Sequence, residues 1–347
     1  MPLTPVQDLL AEARRGGYAI GYFESWDLDS LLAVADAAEA CQSPVLLGFS
    51  GIYLHHPERV VPAPLETYAA MGLAVCQSMS VPVNLIFNES PYFERVLEAL
   101  KFGFGLVMFS DEQLDTEIQI EKVSQIVISA HSLGVAVEGE AAPLAGVAGE
   151  LTALPKDLRL TDPATGRQFV ERTGVDAFAV NTGQAHLHGR RKLRLDLDHL
   201  AILQQEIPVP LVLHGASSIH PDDLAAAIQL GICKINLGSR LKRIYFEALR
   251  GACLQALPFS ENHETPQGDS VNMAQHNIHA QDYLADFNPY LVIGSGLSED
   301  VQATARLALQ QEVEKWMRLF GSAGKSRGGN ICSLKSLSPI GVRLAAM

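Results

Sequence analysis

The sequence predicts an α/β protein built as a single (β/α)8 (TIM) barrel, and three observations carry that expectation. Eight short apolar runs, each bounded by turn residues, have the character of fully buried strands. Segments with helical apolar spacing lie between them, and strict strand–helix alternation implies right-handed βαβ units and a parallel sheet. No G-x-G-x-x-G follows the first run, so an open, doubly wound dinucleotide-binding sheet loses its best support.

Taken in order, the strand-like runs fall at 18–23, 44–49, 82–87, 104–109, 134–138, 175–181, 209–214 and 232–237. Helical spacing appears at 29–41, 66–79, 92–102, 117–133, 195–205 and 221–230. The barrel repeat ends near Arg250. A polar stretch rich in Asn, His and Gln at 257–295 has the composition of a surface insertion, and a long helix is expected at 298–319. The domain reading is therefore one barrel unit over 1–325, carrying that insertion and terminal helix, followed by a C-terminal tail at 326–347.

Composition excludes several classes. With 48% hydrophobic and 19% charged residues in 347, the chain can bury a large core and is neither disordered nor collagen-like. No apolar run approaches the ~18 residues that span a bilayer, and the N-terminus lacks a basic region followed by an apolar one, so no membrane association is expected. Cys41, Cys76, Cys233, Cys253 and Cys332 are odd in number, scattered and free of C-x-x-C, as in a reduced, cytoplasmic protein. A net charge of −13 argues against a nucleic-acid surface but leaves room for a small anionic ligand held by a few local donors.

In such a barrel the active site lies at the C-terminal strand ends. Polar residues there are Glu24, Ser50, Asn88, Glu89, Ser110, Asp111, Glu112, Glu138, Glu140, Asn181 to His186, His214 and Asn236. His186 and His214 each close a strand into a Gly-containing turn, and two imidazoles with one carboxylate make a catalytic zinc set with an open position. A single histidine at a strand end is equally at home as a hydrogen-bonded core residue, and His188 is a competing imidazole. Gly215-Ala-Ser217-Ser218 after the seventh run and Gly238-Ser239 after the eighth offer the small residues, hydroxyls and backbone N–H groups that phosphate requires, although each alone is also an ordinary tight turn. Arg190 and Lys192 could meet a second anionic group.

Leu-Val-Leu-His-Gly-Ala-Ser-Ser at 211–218, Lys-Ile-Asn-Leu-Gly-Ser-Arg-Leu at 234–241 and Asp-Ala-Phe-Ala-Val-Asn-Thr-Gly-Gln-Ala-His at 176–186 give the chain its resemblance to the class II, metal-dependent fructose-bisphosphate (ketose-bisphosphate) aldolases. Tyr-Ala-Ile-Gly at 18–21, Val-Ala-Val-Glu-Gly-Glu at 135–140 and Met-Arg-Leu-Phe-Gly-Ser-Ala-Gly-Lys at 317–325 support it. The resemblance implies cleavage or formation of a ketose (bis)phosphate with dihydroxyacetone phosphate as one product. It also implies Zn2+ or another divalent metal polarising the ketose carbonyl, and a homodimer or higher homo-oligomer. By position it makes His186 and His214 metal ligands. Gly183, Gly215, Ser217, Gly238 and Ser239 become phosphate-binding residues, and Asn236 a substrate contact. Glu138 or Glu140 falls in the acidic motif of the fifth strand.

The chain departs from the family pattern where the resemblance implies an Asp-His pair after the third strand: Asn88 and Glu89 stand there. Glu89 can complete a two-His, one-carboxylate set. Asn88 cannot titrate, and losing a general acid or base typically costs ~10²–10⁴-fold in rate. Glu24 replaces an expected asparagine, and Ser110-Asp111-Glu112-Gln113 replaces an Asp-Gly-Ser-His motif. Three readings follow. One is an active, divergent aldolase with Glu24, Glu89 or Glu140 taking over proton transfer. Another is a catalytically weakened paralogue or regulatory subunit that binds metal and sugar phosphate. A third is a metal-dependent lyase on another keto substrate.

Overall fold

A computed structural model describes residues 3–141, 144, 160–185, 192–256 and 288–327. Eight parallel strands close a barrel in sequence order: β1 Ile20–Phe23, β2 Val45–Ser50, β3 Val83–Ser90, β4 Leu106–Phe109, β5 Ala136–Glu140, β6 Ala177–Ala179, β7 Leu211–Leu213 and β8 Ile232–Leu237. Closure is made by β8 on β1, with Ile20 opposite Lys234 and Tyr22 opposite Asn236.

Helices α2 Leu28–Cys41, α4 Leu65–Ser78, α5 Phe93–Ala99, α6 Thr116–His131, α8 Leu197–Glu206 and α9 Pro221–Gln229 occupy the expected segments. A one-turn α3 at Gly51–Leu54 continues from β2, and α10, Ser239–Ala256, extends the repeat past Arg250. Two further barrel helices lie outside the helical segments expected from the sequence. The first is α1, Val6–Gly16, whose Val6, Leu9, Leu10 and Ala13 join the barrel-interior cluster and cover its N-terminal end. The second is α7, Pro163–Thr173, set by the Asp162 cap and a proline in its first turn.

Past the barrel lie α11, Pro289–Val292, and α12, Val301–Leu319. The Asp300 side chain caps α12, which therefore begins just inside the expected start at 298. Of the polar stretch expected at 257–295, residues 257–287 lie outside the described residues, as do 328–347 of the tail. Among the described residues no helix is long and apolar enough to cross a membrane. Cys41, Cys76, Cys233 and Cys253 are free thiols, and Cys332 lies outside the described residues.

Several strands run further toward their C-terminal ends than the apolar runs suggest: 82–87 becomes Val83–Ser90, and 134–138 becomes Ala136–Glu140. Asn88 still pairs with Ser50 of β2, and Glu140 with Ala179 of β6. Asn88 and Glu140 are therefore strand residues held by the sheet, and Glu89 falls within β3 at an irregularity.

Two apolar clusters result. Phe23, Phe49, Phe87, Phe109 and Phe178 fill the layer between strands and helices. Ile20, Tyr22, Leu46, Ile86, Leu106, Ala136, Ala179 and Val212 fill the interior.

Candidate active site

Side chains alternate along a strand, so the interior positions continue by twos to the C-terminal mouth. From Tyr22 the series reaches Glu24, from Ile86 it reaches Asn88, from Ala136 it reaches Glu138 and Glu140, and from Val212 it reaches His214. On β8 the outward residues are Ile235 and Leu237, which leaves Lys234 and Asn236 inside.

Glu89 breaks this alternation. The β3–β4 register shifts between Phe87 and Ser90, and Glu89 has φ 42. A left-handed backbone costs a non-glycine residue about 1–3 kcal/mol and persists only where surrounding structure imposes it. Here it turns Glu89 back over the mouth, with Oε1 2.5 Å from His214 Nδ1.

His214 is buried, and its other ring nitrogen, Nε2, lies 2.7 Å from Glu138 Oε1. Burial works to lower the pKa of His214, but Glu89 and Glu138 outweigh it and raise the value to about 10. Burial alone would raise Glu138, yet Lys234 and His214 hold its carboxyl below the usual range. Lys234 Nζ is 2.7 Å from Glu138 Oε2, and both side chains are fully enclosed. The contact is an ion pair, not an aligned hydrogen bond, since Oε2 has no hydrogen-bond partner. Sequence reasoning offers Glu138 only as an alternative to Glu140 and passes over Lys234. The available signal is a lysine inside a strand whose other residues, Asn236 apart, are apolar.

Glu140 is buried and accepts a hydrogen bond from Ser110 Oγ. Burial raises its pKa to about 7, assisted by Glu89 and Glu138 and opposed by His214 and Ser110. A carboxyl near neutrality in a barrel mouth suits proton transfer. Asn88 is buried, and its Oδ1 accepts a hydrogen bond from Asn236 Nδ2 at 3.2 Å.

The loops after β6, β7 and β8 form one wall. Asn181 Oδ1 accepts from the Gly183 backbone N–H, and Gly183 has φ 114. Gly215, at φ 69, starts the turn through Ala216–Ser218, and Ser218 Oγ donates to Ala185 O at 2.8 Å. Ser217 Oγ accepts from the Arg240 backbone N–H, and its carbonyl accepts from Lys192 Nζ at 2.6 Å. Ser239 opens α10. A Cβ on Gly238 would strike the Glu24 carboxylate, which Lys242 Nζ holds at 2.6 Å. Glu24 is thus charge-compensated beside Gly238. His186, His188 and Arg190 lie outside the described residues.

Among the described residues no three His, Cys, Asp or Glu side chains form a set that could hold a metal ion. The geometry explains this: Glu89 and Glu138 flank opposite nitrogens of His214 and cannot converge on one point. Glu89 and His214 Nδ1 do face each other, and a carboxylate with an imidazole suits a zinc-type ion. A third donor would have to come from elsewhere, and Ala185, anchored by Ser218, immediately precedes His186.

A model of the family described as fructose-bisphosphate aldolase class-II matches residues 4–325. A fructose-bisphosphate aldolase of Thermus caldophilus is 32% identical over 342 residues, covering 92% of this chain and 98% of that protein. The chain belongs to the class II fructose-bisphosphate aldolase family.

Among solved structures, the YdjI aldolase from Escherichia coli K12 matches with a TM-score of 0.70 and 26% identity, covering 94% of this chain and 100% of that one. The fructose-bisphosphate aldolase of Campylobacter jejuni, at 18% identity and a TM-score of 0.67, covers 93% of this chain and 97% of that one and shares the fold. Membership of the class II aldolase family supports an aldolase, lyase-type function for this chain.

Proposed function

We propose that the chain is a divergent, metal-dependent class II aldolase that cleaves or forms a ketose (bis)phosphate, with dihydroxyacetone phosphate as one product. The observation that carries this reading is the approach of Glu89 to His214 Nδ1, 2.5 Å apart in the mouth of the barrel. Glu89, His186 and His214 would hold Zn2+ or another divalent ion. When bound, that ion supplies Lewis-acid polarisation of the substrate carbonyl.

The remaining work falls to side chains. Glu140, held by Ser110, exchanges a proton with the substrate near neutral pH. Asn236 and Asn88 orient substrate hydroxyls through their amides. Gly183, Gly215, Ser217, Gly238 and Ser239 receive phosphate, and Glu24 packs against Gly238. The working form would be a cytoplasmic homodimer or higher homo-oligomer.

One observation favours a second reading, a weakened paralogue: Asn88 stands where a titratable group is expected, and its amide is already engaged by Asn236. The test measures bound zinc and cleavage of a panel of ketose mono- and bisphosphates in wild type, His214→Ala and the pair Asn88→Asp with Glu89→His. Metal and turnover in wild type, both lost in His214→Ala, support the active enzyme. Their absence in wild type and appearance in the paired variant would establish the weakened paralogue instead.

A further inference from the structure

Lys234 has no exposed surface, and an ammonium withdrawn from water needs close acceptors. It has two. Nζ lies 2.7 Å from Glu138 Oε2 and 2.6 Å from Asn236 Oδ1, with the Tyr22 ring centroid 5.4 Å away. Both partners also reach the same atom of His214. Glu138 Oε1 is 2.7 Å from Nε2, and Asn236 Nδ2 is 3.0 Å from it.

An asparagine amide has two ends of nearly equal shape, and an ammonium can donate only to the oxygen. Lys234 therefore decides that Nδ2 faces Asn88, to whose Oδ1 it donates, while Nε2 of His214 is committed as a donor to Glu138. A carboxylate drawn to the ammonium through Oε2 likewise leaves Oε1 for Nε2. With Nε2 engaged, the ring presents Nδ1 to Glu89.

We propose that Lys234 is a positioning residue, fixing Glu138 and through it the orientation of His214 in the mouth, and turning the Asn236 amide toward Asn88. The inference rests on the metal-site reading above. A role in fold stability alone is a poorer explanation, because replacing a buried ion pair by apolar groups is often neutral or stabilising.

The test titrates zinc against a competing chelator and records the absorption spectrum with Co2+. It uses the full chain as wild type, Lys234→Met, Lys234→Met with Glu138→Gln, and His214→Ala. The double variant leaves no lone buried charge, so it covers the case in which Lys234→Met fails to fold. Loss of a group supporting a metal-bound histidine typically weakens affinity ~10–100-fold. We expect that loss in the folded lysine variants, with an altered cobalt spectrum and cooperative unfolding retained. Wild-type affinity and spectrum in the lysine variants, with metal lost in His214→Ala, would overturn the positioning role alone. Wild-type affinity in His214→Ala would overturn the metal reading and this inference with it.

Discussion

Glu89 Oε1 lies 2.5 Å from His214 Nδ1, although 125 residues separate them along the chain. The contact depends on a backbone irregularity in β3, where Glu89 adopts φ 42 at a register shift. A regular strand would carry Glu89 to the face opposite Asn88.

That strain gives a stability prediction. Glu89→Gly and Glu89→Ala both remove the carboxylate, and only glycine occupies the left-handed region without penalty. Urea unfolding should find Glu89→Gly more stable than Glu89→Ala by about 1 kcal/mol. Equal stability would mean that the backbone relaxes once the carboxylate is gone.

The raised pKa of Glu140 sets a pH dependence for metal-free protein. Its value is about 7 against an ordinary 4.5, so the folded state binds the proton more tightly than the unfolded state. The associated stability is fully present below pH 4.5 and is lost as pH rises through about 7. The loss amounts to about 3 kcal/mol. Urea midpoints for wild type and Glu140→Gln should diverge across that window, with the variant lacking this contribution.

Asn88→Asp restores a titratable group and keeps an oxygen for Asn236 Nδ2. Turnover of a ketose phosphate should rise at least about tenfold, toward the ~10²–10⁴ range of a general acid or base. Unchanged kcat would show that no rate-limiting proton passes through position 88.

Glu24→Gln removes a negative charge beside Gly238 and frees Lys242 for an anion. The KM for a phosphorylated ketose should fall about tenfold, in line with removal of a nearby like charge at an effective dielectric near 20. A fall in kcat at unchanged KM would instead assign Glu24 a proton-transfer role.

Much of this protein was legible in its sequence. Buried strands have an apolar signature, the alternation with helices fixes a parallel barrel, and the barrel directs attention to polar strand ends such as Glu24, Asn88, Glu140, His214 and Asn236. The helix Val6–Gly16 has the same kind of local apolar period, yet its place across the N-terminal end of the barrel is a tertiary fact. Lys234 reads as a charged residue in a mostly apolar run. Its partner Glu138 lies on another strand, so closure of the barrel alone decides that the two meet. Glu89 is the sharpest case. Period-two alternation assigns it outward, and a register shift between β3 and β4 reverses that assignment. Local patterns are set by nearest neighbours along the chain, so sequence determined the elements and the candidate rim. Ion pairing, backbone strain and the direction of each ring nitrogen depend on groups distant in sequence, and only the folded barrel decided them.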